Sequence, residues 1–462
     1  MLEYWKWTTG VWDVWLTERA GPAALHERQA SRLAALLQFA RESSPFYRQL
    51  YRELPSPLLR LAELPPVNRA VLMANFDDWL TDRNITRAGV EEFLRQPEYV
   101  GQPYTGQYAV WSSSGTTGVP GIYLHDGDAL AVYDALQTVR FWRSWGAQSP
   151  PRAVLGPQQR YAMVAATGGH FAGVASVERL RRLNPLLADN VRVFSVQLPI
   201  AELVARLNDY QPAYLAGYPT ALEVLADEQR AGRLKLAPVT AWTGGECLSA
   251  QVRAEIECAF QCSVMEDYGS SEFMSLGCGC KEGWLHINAD WVILEPVDQN
   301  YRPVPPGQPS HTVLLTNLAN RIQPMIRYDL GDSIIVNPQP CRCGNFLPAV
   351  RVEGRRDAIL RLKARSGGTV QLLPLALSTV VEEEAGLHRF QLTQDGPASL
   401  SIRLDVPPGN TRRAARSKVE GCLRTYLNTH GLPDVTLKHD PRPPRPDSRS
   451  GKFRQVTNEW PG

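Results

Sequence analysis

Short apolar runs alternate with helical segments between residues 152 and 243, and this alternation limits the folds open to the chain more than any other feature. The apolar runs predict strands, and the amphipathic segments between them predict helices. The predicted strands are 191–196, 214–217 and 239–243, and the predicted helices are 200–209 and 220–231. This order predicts a largely parallel α/β sheet covered on both faces. Ligands of such sheets bind at the carboxyl ends of the strands.

The chain has 462 residues, which exceeds what one hydrophobic core usually supports, so at least two domains are expected. After residue 354, two alternating runs precede an amphipathic helix at 411–429. We therefore predict an α/β fold with a large multi-layer N-terminal domain, residues 1–353, and a small α+β C-terminal domain, residues 354–462.

The charge balance gives no argument for nucleic acid or acidic surfaces as partners. Lysine and arginine number 49 against 47 aspartates and glutamates, and a net charge of +2 does not favour nucleic acid. No window approaches the run of about 20 apolar residues that spans a bilayer. Residues 1–10 contain Glu3 and Lys6 and do not resemble a signal peptide. A cytoplasmic protein without nucleic-acid or membrane partners is expected, and a homodimer is left open.

The sequence predicts where one helix ends and where another begins. Residues 24–53 have helical spacing that breaks at Ser44-Pro45. Further along, Asp128 is predicted to cap a helix that runs to Trp145.

The stretch from Trp111 to Gly121 is rich in hydroxyl groups and glycine, and its apolar flanks predict a loop between two short strands. Glycines let a backbone turn its N–H groups inward, and hydroxyls add donors, so such a loop can bind anionic oxygen. It lacks the Gly-Lys-Ser/Thr ending of a P-loop. The alternative is a plain flexible turn. The candidate binding residues are Ser113, Ser114, Gly115, Thr116, Thr117 and Gly118.

Three further loops follow the predicted strands 214–217 and 239–243 and the run 263–266, at the edge of the sheet where ligands bind. A carboxylate on a glycine turn beside a phosphate loop can hold Mg²⁺ that bridges phosphate oxygens, and this role falls to Glu272. A solvated glutamate on a surface turn is the alternative. The loop residues are Tyr218 and Pro219, then Gly244, Gly245 and Glu246, then Asp267, Tyr268, Gly269, Ser270, Ser271 and Glu272.

The cysteines are clustered. Cys278 and Cys280 form one Cys-x-Cys pair and Cys341 and Cys343 form another, with His286 near the first. In a large intracellular protein, close cysteines indicate metal before disulfide. Sulfur and nitrogen ligands suit tetrahedral Zn²⁺, so five candidates compete for four places. The remaining cysteines, predicted to lie in the core, are Cys247, Cys258, Cys262 and Cys422.

Ser113-Ser-Gly-Thr-Thr-Gly-Val-Pro120 resembles the phosphate loop of the adenylate-forming enzymes, the acyl-CoA synthetase superfamily. Four later stretches resemble further motifs of that superfamily, in its order. They are Tyr268-Gly-Ser-Ser-Glu272, Arg327-Tyr-Asp-Leu-Gly-Asp332, Gly354-Arg-Arg-Asp357 and Ser450-Gly-Lys-Phe-Arg454. Three positions depart from the pattern: Gly121 stands where many members have Lys or Thr, Leu330 replaces a threonine, and Ala358 replaces an acid.

The resemblance implies that the loop 113–118 and the strand-end residues 244–246 and 267–271 bind ATP and AMP. Asp332 would accept hydrogen bonds from the ribose diol, with Asp329 as a solvated neighbour.

It also implies that Thr117, Glu272 and Lys452 are catalytic, with Lys452 stabilising the attacking carboxylate and the α-phosphate. Arg355 would contact the nucleotide. Asp357 would be the hinge of a mobile C-terminal lid.

Three phrases are similar to one branch of the superfamily, the phenylacetate-CoA ligases and coenzyme F390 synthetases. They are the opening from Arg32 to Arg48, the element Cys280-Lys-Glu-Gly-Trp-Leu-His286, and Cys341-Arg-Cys-Gly344. The likeness implies a structural Zn²⁺ held by Cys280, His286, Cys341 and Cys343, with Cys278 as the alternate.

The activity expected from the resemblance is that of an AMP-forming acid–thiol ligase, which adenylates a carboxylic acid with Mg²⁺ and ATP and transfers it to coenzyme A. Aromatic residues where the superfamily has its acyl pocket favour a small aromatic acid. An amine or carrier-protein thiol as acceptor, and a degenerate homologue that binds nucleotide without turnover, are the alternatives. A zinc-ribbon binding module would predict a basic face, which the charge does not support. The predicted pocket residues are Tyr161, His170, Phe171, Tyr218 and Pro219.

Overall fold

The structure is a computed structural model, and the part of the chain that it describes consists of many segments. These are residues 2–55, 60–112, 121–141, 159–165, 167, 169–195, 198, 200–355, 360–364, 367–372, 377, 380–385, 387, 389–406, 411–445 and 454–460.

Twelve α-helices lie in this described part. They are α1 Leu2–Ala20, α2 Pro22–Ser43, α3 Pro45–Leu50, α4 Arg69–Ala74, α5 Phe76–Trp79, α6 Arg87–Leu94, α7 Gly127–Leu136, α8 Ala172–Leu183, α9 Ile200–Tyr210, α10 Pro219–Arg230, α11 Ala250–Phe260 and α12 Arg412–Thr429. Among the helices of the described segments, none is both long and apolar enough to cross a bilayer.

Side-chain caps set several helix ends. The predicted break at Ser44 is confirmed, because its side chain accepts a hydrogen bond from the backbone N–H of Tyr47 at the start of α3. The prediction that Asp128 caps the next long helix is wrong. Asp126 is the cap: its backbone is extended and its Oδ1 accepts from the N–H of Ala129 (2.8 Å). Asp128 lies inside the first turn and pairs with Lys6 instead.

The described strands number twenty. They are β1 Ala109–Ser112, β2 Ile122–His125, β3 Tyr161–Ala165, β4 Val191–Ser195, β5 Tyr214–Gly217, β6 Thr240–Gly244, β7 Ser263–Tyr268, β8 Gly277–Gly279, β9 Leu285–Ile287, β10 Val292–Val297, β11 Thr312–Asn317, β12 Met325–Asp329, β13 Asp332–Val336, β14 Ala349–Arg355, β15 Leu360–Lys363, β16 Thr369–Leu372, β17 Phe390–Gly396, β18 Ser399–Leu404, β19 Thr436–His439 and β20 Val456–Asn458.

The largest sheet has the strand order β13-β14-β9-β8-β7-β6-β5-β3-β4. Its part from β4 to β7 is parallel, which confirms the sheet predicted from the strand–helix alternation. From β7 through β8 and β9 to β14 the pairing is antiparallel. Helices α9, α10 and α11 pack their apolar residues on one face of the parallel part, against Ala162, Leu215 and Val264 among others.

The chain divides into two compact units. The larger consists of Met1–Gln308, Val313–Leu330 and Ile335–Arg351, and the smaller of Pro309–Thr312, Gly331–Ile334 and Val352–Gly462. In the smaller unit, α12 and the sheet β19-β18-β17-β20 share one apolar core. This mixed α/β organisation confirms the predicted fold class. The domain boundary at residue 354 stays a prediction, since two earlier segments belong to the smaller unit, and so does the mobility of a lid.

Candidate active site

A glycine turn follows β7 at the carboxyl end of the parallel strands and ends at Glu272. Gly269 is required there, because a Cβ atom would lie 2.2 Å from the carbonyl oxygen of Met274. The Ser270 hydroxyl accepts a hydrogen bond from the N–H of Phe273 and closes the turn (3.2 Å). Only 3% of Glu272 is exposed, which excludes the alternative of a solvated surface glutamate.

The hairpin β1–β2 flanks the hydroxyl-rich loop and confirms the two short strands predicted around it. The indole N–H of Trp111 donates to the carbonyl oxygen of Ser271 (2.7 Å), and Nε2 of His125 lies 3.1 Å from the same oxygen. The two strands that flank the predicted phosphate loop are therefore held against the turn that carries Glu272. The loop residues Ser113 to Pro120 lie outside the described residues.

His125 is completely buried in this hairpin. Its ring stacks on Trp111 with centroids 4.2 Å apart, and its Nδ1 lies 3.1 Å from the hydroxyl of Tyr133. Burial lowers the pKa of His125 to about 3, although the hydrogen bond to Ser271 opposes the shift. The ring is therefore neutral near pH 7.

Two tyrosine hydroxyls hold the Glu272 carboxylate. The hydroxyl of Tyr123, on β2, donates to Oε1 (2.6 Å), and the hydroxyl of Tyr328, on β12, donates to the same oxygen (2.9 Å). The two phenol oxygens lie 3.0 Å apart. Because the three residues come from three separate stretches of the chain, Glu272 is the point at which those stretches converge.

Arg69, the first residue of α4, supplies positive charge beside this carboxylate. Burial lowers the pKa of its guanidinium, but Tyr123, Tyr328 and Glu272 more than reverse that, so the pKa lies above its ordinary value. The guanidinium also hydrogen-bonds the side chain of Tyr328.

The packing of Tyr123 explains Gly121. A Cβ atom at Gly121 would lie 2.4 Å from the Tyr123 hydroxyl oxygen and 2.7 Å from two carbons of its ring. Tyr123 is fully buried and hydrogen-bonded to Glu272, so its ring cannot move aside without losing that bond. A lysine or threonine at this position is therefore incompatible with the arrangement around Glu272.

The prediction that Asp329 is solvated is wrong. Asp329 ends β12, a strand buried at all its positions, and accepts a hydrogen bond from the Tyr301 hydroxyl (3.0 Å). Asp332, the predicted ribose ligand, begins β13 in the smaller unit and is 5% exposed. Gly331 between them has φ of +80°, a conformation that favours glycine.

The residues predicted for the acyl pocket lie on or beside different strands and helices of the larger unit. Tyr161 begins β3, and its ring lies 6.3 Å from that of Trp242 on β6. His170 is buried with Nε2 3.0 Å from the carbonyl oxygen of Gln96. Phe171 directly precedes α8, and Tyr218 and Pro219 begin α10 at the end of β5.

The strand-end residues predicted to bind nucleotide lie on neighbouring strands. Gly244 ends β6 and is opposite Asp267 on β7, while Gly245 and Glu246 follow β6, Gly245 with φ of +79°. Asp267 is half-buried; burial, and then the nearby Glu266, raise the pKa of its carboxyl to about 8.

The structure brings together four of the five predicted metal ligands. The ligand atoms of Cys280, His286, Cys341 and Cys343 all lie within 4.8 Å of one another. Sγ of Cys280 and Sγ of Cys341 are 3.7 Å apart, and Nε2 of His286 is 3.1 Å from Sγ of Cys343. Nδ1 of His286 lies 2.9 Å from the carbonyl oxygen of Leu347, which leaves Nε2 as the metal-binding nitrogen. Three sulfurs and one nitrogen are a donor set that fits a tetrahedral metal ion.

Cys278 lies outside this group. It is buried opposite Asp267 on β8, and burial, followed by the charge of Asp267, raises the pKa of its thiol to about 12. The prediction that the remaining cysteines are core residues is wrong for Cys247 and Cys258, which are exposed. Cys262 and Cys422 are partly buried.

No family model matches the chain. Protein CapK of Staphylococcus aureus is 29% identical over 133 residues, a match that spans 28% of this chain and 28% of CapK. A solved structure of 2-hydroxyisobutyryl-CoA ligase, in the postadenylation state with R3-HIB-AMP, has a TM-score of 0.69 at 21% identity and covers 93% of this chain and 89% of the ligase. Anthranilate CoA ligase AuaEII with anthranoyl-AMP has a TM-score of 0.52 at 15% identity, over 74% of this chain and 64% of the ligase. The fold is that of the adenylate-forming ligases.

Sequence reasoning missed three residues of this adenylate-forming ligase fold that surround Glu272. Tyr328 lies inside the stretch Arg327–Asp332, whose resemblance to a superfamily motif implies no role for the tyrosine hydroxyl. Tyr123 stands in an apolar strand, where the pattern suggests only packing. Arg69 stands at the start of a helix, where the pattern suggests only a solvated charge. The unusual glycine at position 121 is the one signal that a bulky neighbour is close.

Several predicted residues lie outside the described part of the chain. These are Thr117 with the rest of its loop, the hinge residue Asp357 and the lysine Lys452. Arg355 ends β14 in the smaller unit, and its side chain is not described. Their roles stay predictions.

Proposed function

We propose that this protein is an AMP-forming acid–CoA ligase of the adenylate-forming superfamily. The observation that carries the proposal is the convergence on Glu272: the strands that flank the hydroxyl-rich loop, the Tyr-Gly-Ser-Ser-Glu turn and β12 meet at one buried carboxylate. A structural serine-glycine turn would not need to be held against a buried acid. The solved neighbours are CoA ligases captured with acyl-adenylates, which supports the same two-step chemistry here.

In the proposed first step, a carboxylate oxygen of the acid attacks the α-phosphorus of ATP, and pyrophosphate leaves. In the second step, the sulfur of coenzyme A attacks the acyl carbon, a thioester forms and AMP leaves. Backbone N–H groups and hydroxyls of residues 113–118 would bind the phosphates. Lys452 would stabilise charge on the α-phosphate, Asp332 would hold the ribose, and the C-terminal unit would re-orient between the steps about Asp357.

The residues around Glu272 fit a magnesium-bound nucleotide. Both tyrosine hydroxyls donate to Oε1 and neither donates to Oε2, so Oε2 would be the oxygen that binds a divalent cation. When bound, Mg²⁺ supplies charge neutralisation of the phosphates. Arg69 would add the positive charge that the loop lacks at Gly121.

The Cys280, His286, Cys341 and Cys343 cluster would hold Zn²⁺. Four protein ligands leave no open position for substrate, so the role proposed for the ion is structural. It would tie β9 to the segment that precedes β14.

The acid is proposed to be compact, and a small aromatic acid is the first candidate. Tyr161, the first residue of β3, and Trp242, in the middle of β6, have rings 6.3 Å apart on the sheet and offer flat apolar walls. The names of the neighbouring ligases, which concern a branched hydroxy acid and an aromatic amino acid, also favour compact acids over long chains.

The test supplies ATP, Mg²⁺, coenzyme A and matched benzoic, phenylacetic and C10 fatty acids, and measures pyrophosphate release and thioester formation. Pyrophosphate should appear with the compact acids and not with Glu272→Gln. Glu266→Gln is the matched control, since Glu266 lies six residues away and pairs with Arg253 (2.9 Å). Preference for the fatty acid would refute the pocket argument. Adenylate without thioester would move the acceptor to an amine or a carrier protein, and the absence of pyrophosphate release with every acid would refute the ligase proposal.

A further inference from the structure

The buried side chain of Asn317, the last residue of β11, holds the backbone at Glu272. Its amide nitrogen Nδ2 donates to the carbonyl oxygen of Glu272 (2.9 Å) and to the hydroxyl oxygen of Tyr133 (2.9 Å). Its Oδ1 accepts from the backbone N–H groups of Ala319 (2.9 Å) and Asn320 (3.1 Å), and these two donors fix the orientation of the amide. Asn317 has no exposed surface, so both of its amide N–H groups are committed to partners inside the protein.

From Tyr133 the hydrogen bonds continue in one direction to the carbonyl oxygen of Ser271. That oxygen can only accept, so Nε2 of His125, 3.1 Å away, carries a proton. The ring is neutral near pH 7, because burial lowers its pKa to about 3, and Nδ1 is therefore an acceptor. The Tyr133 hydroxyl, 3.1 Å from Nδ1, donates to it, and its oxygen accepts from Asn317. The amide nitrogen of Asn320 also lies 3.5 Å from Nδ1, which agrees with an acceptor there.

The two ends of this chain are the consecutive carbonyl groups of Ser271 and Glu272. The indole N–H of Trp111 gives the Ser271 oxygen a second donor (2.7 Å). The Glu272 side chain is held separately, since the hydroxyls of Tyr123 and Tyr328 both donate to Oε1. The backbone at Glu272 and one of its carboxylate oxygens are thus fixed from different elements, and together they determine where Oε2 lies.

We propose that Asn317 is a positioning residue: through its bond to the Glu272 carbonyl and the chain Asn317–Tyr133–His125, it places Glu272 Oε2 for the divalent cation of the bound nucleotide. This inference rests on the proposed function. Mg²⁺ demands near-ideal octahedral geometry, so a small displacement of a ligand oxygen weakens binding. Loss of the hydrogen bonds that orient a metal ligand typically lowers metal affinity about 10–100-fold.

The experiment measures the binding of Mn²⁺, which prefers the same oxygen ligands as Mg²⁺, by electron paramagnetic resonance. The nucleotide is α,β-methylene-ATP, which cannot release pyrophosphate. The variant is Asn317→Ser, because a serine hydroxyl can still accept from the N–H groups of residues 319 and 320 but is too short to donate to the Glu272 carbonyl as well. Mn²⁺ should bind about 10-fold more weakly to this variant than to the wild type. In the pyrophosphate-release assay, the Mg²⁺ concentration for half-maximal rate should rise similarly, with a smaller change in kcat at saturating Mg²⁺.

Thr316→Val is the matched control. Thr316 is equally buried on the same strand, and its hydroxyl oxygen accepts from the backbone N–H of Arg327 (3.0 Å). The control removes a buried hydrogen bond that does not involve the Glu272 turn, so both variants should melt at a lower temperature, but only Asn317→Ser should bind Mn²⁺ more weakly. A lower melting temperature of Asn317→Ser with wild-type Mn²⁺ affinity would mean a purely structural role and would overturn the inference.

The tautomer of His125 tests the chain in the wild-type protein, independently of how any variant folds. Long-range nitrogen–proton NMR spectra should show a proton on Nε2 and none on Nδ1, with the His125 signals identified by their absence from His125→Asn. A proton on Nδ1 would reverse the direction of the chain and overturn it.

The binding and turnover results separate this inference from the proposed function. Equal Mn²⁺ affinity of the wild type and Asn317→Ser, with pyrophosphate release intact, would overturn the role of Asn317 and leave the ligase proposal standing. Weaker Mn²⁺ binding by Asn317→Ser, with no pyrophosphate release by the wild type for any acid, would support the role of Asn317 and refute the ligase proposal.

Discussion

Removal of the Tyr123 hydroxyl tests the arrangement around Glu272 most directly. Tyr123 has no exposed surface, and its hydroxyl donates to a buried carboxylate at 2.6 Å. Hydrogen bonds to charged groups contribute about 1.5–3 kcal/mol, and phenylalanine conserves the ring, so Tyr123→Phe should lower the free energy of unfolding by about that amount. Tyr328→Phe, which removes the 2.9 Å bond to the same oxygen, should have an effect of similar size.

The double variant adds a second, sharper expectation. When one tyrosine hydroxyl is lost, the other can still donate a hydrogen bond to Oε1 of Glu272. Removal of both leaves this carboxylate without a hydroxyl donor. The double variant should therefore lose more stability than the sum of the single variants, a coupling of about 0.5–3 kcal/mol.

Urea unfolding followed by tryptophan fluorescence is the assay. Of the twelve tryptophans only Trp460 lies outside the larger unit, so the fluorescence reports mainly on the unit that contains Glu272. Tyr51→Phe is the matched control. Tyr51 is also fully buried, but its hydroxyl has no hydrogen-bond partner among the described residues, so its removal should be neutral or stabilising. The reasoning fails if Tyr123→Phe is as stable as Tyr51→Phe.

Three further outcomes are expected. The purified protein should contain about one zinc per chain, and Cys341→Ser should lose the zinc and melt at a lower temperature. Cys258→Ser, at an exposed site, should keep both the zinc and the melting temperature. The measurement is metal analysis of protein prepared without chelators, and an absence of bound metal would contradict the site. Lys452→Ala should slow pyrophosphate exchange into ATP by orders of magnitude, and a wild-type exchange rate would remove the lysine from the mechanism. The pKa of His125 is about 3 in the folded protein and about 6.5 in the unfolded chain. As the pH falls, the unfolded chain therefore binds the proton first, and stability is lost between about pH 6.5 and about pH 3. At pH 5 the loss should be about 2 kcal/mol. In His125→Asn the dependence of unfolding free energy on pH should be flatter by that amount, and an identical slope would contradict the burial effect.

The sequence by itself determined the features that depend on neighbours along the chain. Strand and helix periodicity predicted β4, β5 and β6 of the parallel sheet, because burial on a sheet imposes a local pattern on each segment. The two Cys-x-Cys pairs and the nearby His286 predicted five candidate metal ligands, and the resemblance to one branch of the superfamily selected Cys280, His286, Cys341 and Cys343, the four that converge. Glycine turns such as the one at Gly269 could also be predicted, because a turn depends on residues that are neighbours along the chain.

Only the tertiary structure decided how the site is surrounded. Tyr123, Tyr328 and Arg69 meet Glu272 from stretches 56 to 203 residues away, and hydrogen bonds across such separations leave no periodic trace in sequence. Asp329 looked like a surface acid because its residue type usually is one, yet β12 lies wholly inside the larger unit. For Asp267 and Glu266 the deciding fact was which face of β7 each occupies, and what covers that face depends on packing between elements distant in the chain.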